Sequence, residues 1–348
     1  MKTIRVVTII CWITLGAIFL GLIGWFLSGT IFGLRPAWID RSMPFRVGIG
    51  GVESLTGPFT VAGTHSSDPS AITSIDIDWV SGEVKIIPHD GGSIEITELA
   101  QRTLHDDERM SVNISANTLT IEFLDRNVSP RIGRMPPKRL EVLVPRPLSE
   151  SLDNLDISSV SGRVELSDMS VSGADISTTS GAISLTQIIS SELSLNSISG
   201  AIHVSDTSSN TLALNTTSGA IHASGAFSTA SIDSTSGRVS LDNSTVQSNA
   251  NINTVSGASD LSGAFYSIDT NTVSGNVSIR SIIVPSALNI GSISGTVAVT
   301  IPNEGSITVR HSSASGRFNS EIPVLLQSRG AQFNFSTTSG NIDIYELK

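Results

Sequence analysis

Cysteine is all but absent from this chain: Cys11 is the single one among 348 residues. One cysteine closes no internal disulfide, so a disulfide framework is excluded as the source of stability. Cys11 lies in an apolar segment with no lipobox around it, which also excludes a lipidated N-terminus. Aromatic residues make up 5% of the chain and charged residues 15%. Basic residues are outnumbered, 21 Lys and Arg against 31 Asp and Glu, for a net charge of −10. That balance argues against nucleic acid as a partner, because such proteins present a basic patch. The nearest thing to one is the scatter Arg126, Arg131, Arg134, Lys138 and Arg139, which reads as a solvated loop. Ser, Thr, Asn and Gly fill the space left by these absences. A polar composition of that kind accompanies disorder when apolar residues lack regular spacing, and here the spacing is regular.

Only one long hydrophobic run is present. Residues 6–27 read VVTIICWITLGAIFLGLIGWFL, without a charge, behind Lys2 and Arg5. At about 1.5 Å per residue the run is long enough for the ~30 Å hydrocarbon layer. A cleaved signal peptide has a shorter apolar core, about 7–15 residues. The run is therefore read as an uncleaved, single transmembrane helix following a short cytoplasmic tail (1–5). The flanking charges are nearly balanced: Lys2 and Arg5 oppose Arg35, Arg41 and Arg46. The cysteine-free, Ser/Thr/Asn-rich remainder favours a cell-membrane location with the C-terminal domain extracytoplasmic. Residues 28–70 read as a linker or stalk.

Beyond residue 150 the chain repeats itself. "LSLNSISGAIHVS" returns as "LALNTTSGAIHAS", and matching Ser-Gly pairs place glycines at Gly162, Gly181, Gly200, Gly219, Gly237, Gly257, Gly275, Gly295, Gly316 and Gly340. The steps between them lie near 20 residues, the period of a solenoid or array. Apolar residues recur seven and five positions before nearly every glycine and two and four after it, as in Leu193, Leu195, Ile202 and Val204 around Gly200; the exceptions are Ser259, Thr270, His311 and Ser320. Such alternation on both sides of a sharp corner predicts two short strands per repeat. Stacked repeats then bury a continuous core that one repeat could not. The corner glycine is expected to supply positive φ. The residue three before it, hydroxylated in all ten repeats from Ser159 to Thr337, is expected to bond the bend and stack on the next coil.

The predicted fold is thus all-β: a β-solenoid of about ten ~20-residue rungs over 151–348, roughly 50 Å long at ~4.8 Å per rung. A sandwich of repeated hairpins is the alternative. Residues 71–150 read as less regular strands and are expected to form a distinct N-terminal β cap on the first rung, since an open rod end exposes strand edges. An earlier Ser-Gly at Gly82 stands apart from the series.

Candidate chemistry is sparse. The repeat-region acids Asp168, Asp175, Glu192, Asp206, Asp233, Asp242, Asp260 and Asp269 scatter across columns and do not gather with Lys or Arg. No paired glycosidase carboxylates follow from the sequence, and no catalytic, cofactor or metal residue is assigned. His203 and His222 both sit three residues after a corner glycine, which places them about 5 Å apart on one outward stripe. Two stacked imidazoles could hold a transition metal with a third ligand; two solvated histidines in a polar column with Ser184 and Ser240 are the plainer reading. The Gly-Gly-x-Gly-x-Asp pattern of calcium β-rolls is absent. Ser/Thr columns also occur in flat ice-binding arrays, but here they lie beside a corner. The Asn-x-Ser/Thr triplets are chance products of composition.

The stretch "IDIDWVSGEVKIIP", the strand ending "LEVLVP" and the serial "SxSGxIxL" rungs resemble the bacterial putative-adhesin repeat family of membrane-anchored envelope proteins. The resemblance covers about residues 71–348. It implies a β-helical fold and an N-terminal anchor, links some members to cell-envelope stress systems, and brings no catalytic residues. The Gly316 repeat departs from the pattern, with His311 and Ser320 at positions that are usually apolar, and predicts less regular packing there. The function expected is a non-catalytic, membrane-anchored adhesion or binding surface for a cell-wall polymer, surface component or membrane protein. The alternatives are an envelope-stress scaffold acting on membrane partners and a carbohydrate-active β-helix enzyme.

Overall fold

The computed structural model describes residues 57–124, 136–304, 307–325 and 330–348. The chain divides into residues 1–47 and 48–348, and every described residue belongs to the second unit. The expected tail, the anchor at 6–27 and most of the linker fall outside the described residues. Among the described residues no helix is long and apolar enough to cross a membrane.

The repeats stack as parallel strands, not as hairpins. Ile183–Ser197 lies beside Ile202–Thr216 with Leu185 against Val204 and Leu195 against Leu214. Ile202–Thr216 in turn pairs with Ile221–Ser234, and that strand with Val239–Thr254. The shared period sets equivalent residues side by side, so each apolar column becomes a buried stripe. Ile176, Leu195, Leu214, Ile232 and Ile252 are all fully buried. Full burial of such a side chain stabilises by about 1.5–3 kcal/mol.

The Ser-Gly corner needs glycine for a different reason from the one expected. Of the ten corner glycines only Gly295 has positive φ, at 149°. What forbids a side chain is the rung below. A Cβ on Gly181, Gly200 or Gly257 would lie 1.9 Å from the carbonyl oxygen of the preceding corner glycine. The true left-handed bend comes six residues later, at Asp168, Gln187, Asp206 and Asn243, with φ of 49–55°, and at Gly225 and Gly263, with φ of 144° and 142°. Asp, Asn and Gly are the residues that tolerate that region. After this bend the chain adds a further inward column that the sequence pattern did not reveal. Val171, Ser190, Ser209, Phe227, Val246 and Phe265 stack in register and are buried.

Spatial order departs from chain order at both ends of the stack. Ser74–Trp79 pairs on one side with Thr118–Glu122 and on the other with Leu152–Ser159. Gly82–His89 likewise lies between Lys138–Pro145 and the start of Arg163–Thr178. The Gly82 level is therefore a rung, held between a level that comes later in the sequence and the Gly162 rung. The expected distinct cap at 71–150 thus contributes two levels to the solenoid itself. Capping falls to antiparallel strands: Ile94–Ala100 on Lys138–Pro145, Thr60–Ser67 on Ile94–Ala100, and Ser111–Ser115 on Thr118–Glu122.

The C-terminal end mirrors this. Ala331–Ser339 and Ile342–Glu346 insert between the Gly295 rung and the Gly316 rung. The Gly316 rung is consequently the last level, which explains its odd residues. His311 is exposed, and its ring stacks on Phe318 with centroids 4.5 Å apart.

A Gly200→Ala change should lower stability by about 3 kcal/mol, because the obstacle is backbone and cannot rotate away. Gln187→Gly should raise it by about 0.5–1 kcal/mol by relieving a left-handed non-glycine. The midpoints of urea unfolding for the two variants distinguish the two bends; equal effects would contradict this division of roles.

Candidate functional site

The corners at Gly162, Gly181, Gly219, Gly237 and Gly257 are each built by two hydroxyls. The one three before the glycine turns inward: Ser159 Oγ accepts from Gly162 N at 2.9 Å, and Thr178 Oγ1 donates to Gly181 O at 2.7 Å. Neighbouring members also meet across rungs, Thr254 Oγ1 reaching Thr272 Oγ1 at 3.0 Å. The serine directly before the glycine, which the sequence pattern marked without a role, donates to the preceding rung. Ser199 Oγ reaches Thr179 O and Ser236 Oγ reaches Thr217 O, each at 3.2 Å. The ten corner glycines thus sit in a structural seam. They carry no side chain and offer no ligand.

Chemistry with access to solvent lies on the strand before the corner. Three runs of side chains climb the rod, each beginning with a carboxylate. Asn196 Nδ2 donates to Asp175 Oδ1 at 3.3 Å, and Asn215 Nδ2 to Asn196 Oδ1 at 2.9 Å. Asn253 donates to Asp233 at 2.9 Å and Asn271 to Asn253 at 3.2 Å. Asn289 donates to Asp269 at 2.6 Å and Asn334, from the inserted rung, to Asn289 at 2.8 Å. A carboxylate only accepts, so it can begin a run. An amide donates with one atom and accepts with the other, so it can relay the run to the next level. Near the first run two acids are neighbours in register, Asp156 beside Asp175. Partial burial, and then the charge of Asp156, raise the Asp175 carboxyl above its ordinary range. Burial also raises Asp156.

The strand after the corner carries the two histidines. His203 and His222 are partners in register, with ring centroids 6.3 Å apart. Asp242, from the next rung, brings Oδ2 to 3.2 Å from His222 Nδ1. The sequence offered no nearby acid in the histidine column. Asp242 reaches diagonally from two positions further along its own strand. The remaining repeat acids described as paired also meet side chains of the surface, as Asp260 does with Arg238 at 3.2 Å.

One member of the expected basic loop is not solvated at all. Lys138 is fully buried and stands opposite Gly82, at the foot of the corner-glycine column. With no rung beneath it, the column can end in a side chain. Its ammonium bonds Glu98 Oε1 at 2.6 Å, Glu108 O at 2.8 Å and the Phe123 carbonyl, and lies over the Phe123 ring. All three donors are satisfied, which a buried ammonium requires. Burial still lowers the Lys138 pKa to about 8 against the pull of Glu98. Arg139, by contrast, is half exposed and pairs with Glu83; Arg126, Arg131 and Arg134 lie outside the described residues.

The sequence model of the family described as Toastrack DUF4097 matches residues 72–257 and 226–344. The chain belongs to the Toastrack family. The matched spans include both the Gly82 level and the inserted C-terminal rung, so the family pattern takes in the ends as well as the regular repeats. Among solved structures, a "putative adhesin" from Parabacteroides merdae is 12% identical, with 84% of this chain and 98% of that one covered at a TM-score of 0.42. A "putative lipid binding protein" from Parabacteroides distasonis is 16% identical, covering 82% and 96% at 0.43. A "putative adhesin" from Bacteroides fragilis is 13% identical, covering 84% and 98% at 0.37. Likeness at that level transfers no function. No curated protein matches the sequence.

Two predictions follow for this Toastrack chain. Lys138→Ala should cost about 3–5 kcal/mol by stranding the Glu98 charge, whereas Lys138→Met with Glu98→Leu should cost far less. A lysine pKa held at about 8 in the fold, against 10.5 unfolded, means the unfolded chain binds more protons between those values. Stability should therefore rise with pH across that window and lose this rise in the double variant; urea melts at pH 7.5 and 10 read both. Separately, Asp175→Asn should stabilise by about 0.2–1 kcal/mol at neutral pH by removing a like-charge neighbour. A raised carboxyl contributes stability below its unfolded pKa that is lost as pH rises through the folded one, so this gain should vanish in thermal melts at pH 3.

Proposed function

We propose that this Toastrack protein is a non-catalytic, membrane-anchored binding protein of the cell envelope, with residues 6–27 as anchor and the solenoid displayed outside the membrane. The observation that supports this reading is the set of Asp-Asn-Asn runs along the strand before the corner. Their amides repeat at the spacing of the rungs, held rigid by one another and by the packed core behind them. From Asn196 to Asn271 five successive levels set an Asn or Asp side by side, and from Asp269 to Asn334 the repeat continues in the neighbouring column, an arrangement that suits an extended ligand better than a compact one. Low conformational freedom in the amides reduces the entropy lost on binding. A cell-wall polysaccharide, whose hydroxyls match amide donors and acceptors, is the ligand class the face fits.

The full-length protein in detergent should cosediment with purified insoluble cell-wall polysaccharide. Replacing Asn215, Asn253 and Asn289 together by alanine should weaken that binding at least tenfold, while Ser240→Ala on the histidine strand should leave it unchanged. No cosedimentation by the unmodified protein, or equal binding by the triple variant, would overturn the proposal. Residues 6–27 should keep the protein in the membrane pellet through alkaline carbonate extraction; release into the supernatant would remove the anchor from the reading.

A further inference from the structure

We propose that His203 and His222 form a surface site for one borderline divalent transition-metal ion, of the zinc, copper(II) or nickel class, with Asp242 as its positioning residue. Imidazole is a natural ligand for these ions.

Three observations carry it. The first is placement. Parallel pairing sets the two histidines directly opposite each other on adjacent rungs, and both are exposed. Their flanking partners in the column are Ser184 below and Ser240 above, which are small enough to leave the space over the rings open. The second is reach. A metal bound to an imidazole nitrogen at about 2.0–2.1 Å lies roughly 3.2 Å from the ring centroid, so two rings sharing one ion have centroids no more than roughly 6.5 Å apart. The observed separation is 6.3 Å, with the ring planes tilted by 54° rather than stacked. Side-chain rotation of either ring shortens the separation towards a tetrahedral angle.

The third observation is the carboxylate. Asp242 Oδ2 lies 3.2 Å from His222 Nδ1. Asp242 is itself fixed by two hydroxyls, Ser240 Oγ at 2.7 Å on Oδ2 and Ser262 Oγ at 3.4 Å on Oδ1. At that distance a small rotation of the ring lets the carboxylate accept from Nδ1–H, which would leave the Nε2 lone pair of His222 for a metal and make that nitrogen a better donor. Asp242 therefore orients a ligand and is not one. This agrees with the finding that, among the described residues, no three metal-ligating side chains gather at one point. The ion would keep its other positions for water.

The test uses the untagged full-length protein and copper(II) chloride as the probe, read by electron paramagnetic resonance and by equilibrium dialysis. The unmodified protein should bind one more copper ion than the His203→Ala/His222→Ala double variant, with coupling to two imidazole nitrogens. The remaining histidines, His65, His89, His105 and His311, stay in both and set the background. Either single substitution should weaken the extra ion at least tenfold and reduce the coupling to one nitrogen. Asp242→Asn should retain two-nitrogen coupling and an unchanged melting curve while weakening binding about tenfold. Equal copper uptake by the unmodified protein and the double variant would overturn the site. Unchanged affinity in Asp242→Asn would overturn the role given to Asp242.

Discussion

Everything in this solenoid depends on how closely the corner of one rung approaches the corner of the next. The carbonyl oxygen of one corner glycine occupies the place where a Cβ on the next would be, at 1.8–2.2 Å from Gly181 onward along the column. No side chain can enter that seam, so every rung must turn at the same place. Once the corners coincide, the flanking strands are in phase and their side chains fall into columns. The inward columns become the core, the hydroxyl column closes the bend, and the outward Asn and Asp columns become hydrogen-bonded runs. A lapse at one corner would misalign all of these together, since a one-residue slip sends inward side chains outward.

The same dependence explains what could be read from the sequence. Columns at seven and five before the glycine and at two and four after it repeat one residue class, so Leu195 and Leu214 announced themselves. The inward column after the bend did not, because Ser190 and Ser209 share it with Val171, Phe227 and Phe265. Periodicity detects constancy of type, and here only the summed volume across neighbouring levels needs to be kept. The left-handed bend was misplaced for a related reason. A glycine in every repeat drew the expectation of positive φ, while the residues that adopt it are the varied set Asp168, Gln187, Asp206, Gly225 and Asn243. Contacts that cross columns were invisible altogether, as with Asp242 and His222.

Lys138 shows how local composition misleads when the environment comes from elsewhere in the chain. Set near Arg131, Arg134 and Arg139, it looks like one more solvated base. Its partner Glu98 lies 40 residues earlier, and its position is fixed by pairing with Gly82. A buried ion pair of this kind adds little net stability over apolar side chains of the same size. Its value is in discrimination. The docked cap satisfies the ammonium with Glu98, Glu108 and Phe123 at once, and a shifted docking of the antiparallel strands that broke these bonds would leave a buried charge unmet.

The rearranged ends answer a difficulty of every linear stack. If chain order were kept throughout, the first and last rungs would each have one neighbour, and the free termini would lie at the edges where fraying begins. Here the Gly82 level and the Gly340 rung, the first and last by sequence, each have a rung on both sides. The levels outside them are held by chain at both of their own ends. This arrangement requires contacts between residues far apart in the sequence, with the loop-closure entropy they carry. The return is that unravelling from a terminus must open two strand ladders instead of one. At the N-terminal end, antiparallel strands cover the outermost level. At the other end, among the described residues, Val324–Leu325 covers only Ile307 and Thr308, and the last rung exposes His311 where its predecessors carry Phe335 and Ile290, with the exposed Arg310 and Arg317 on the same rung. Charge on an exposed edge is a common defence against unwanted strand addition, and Arg310 and Arg317 supply it on the rung whose His311 and Ser320 broke the repeat pattern.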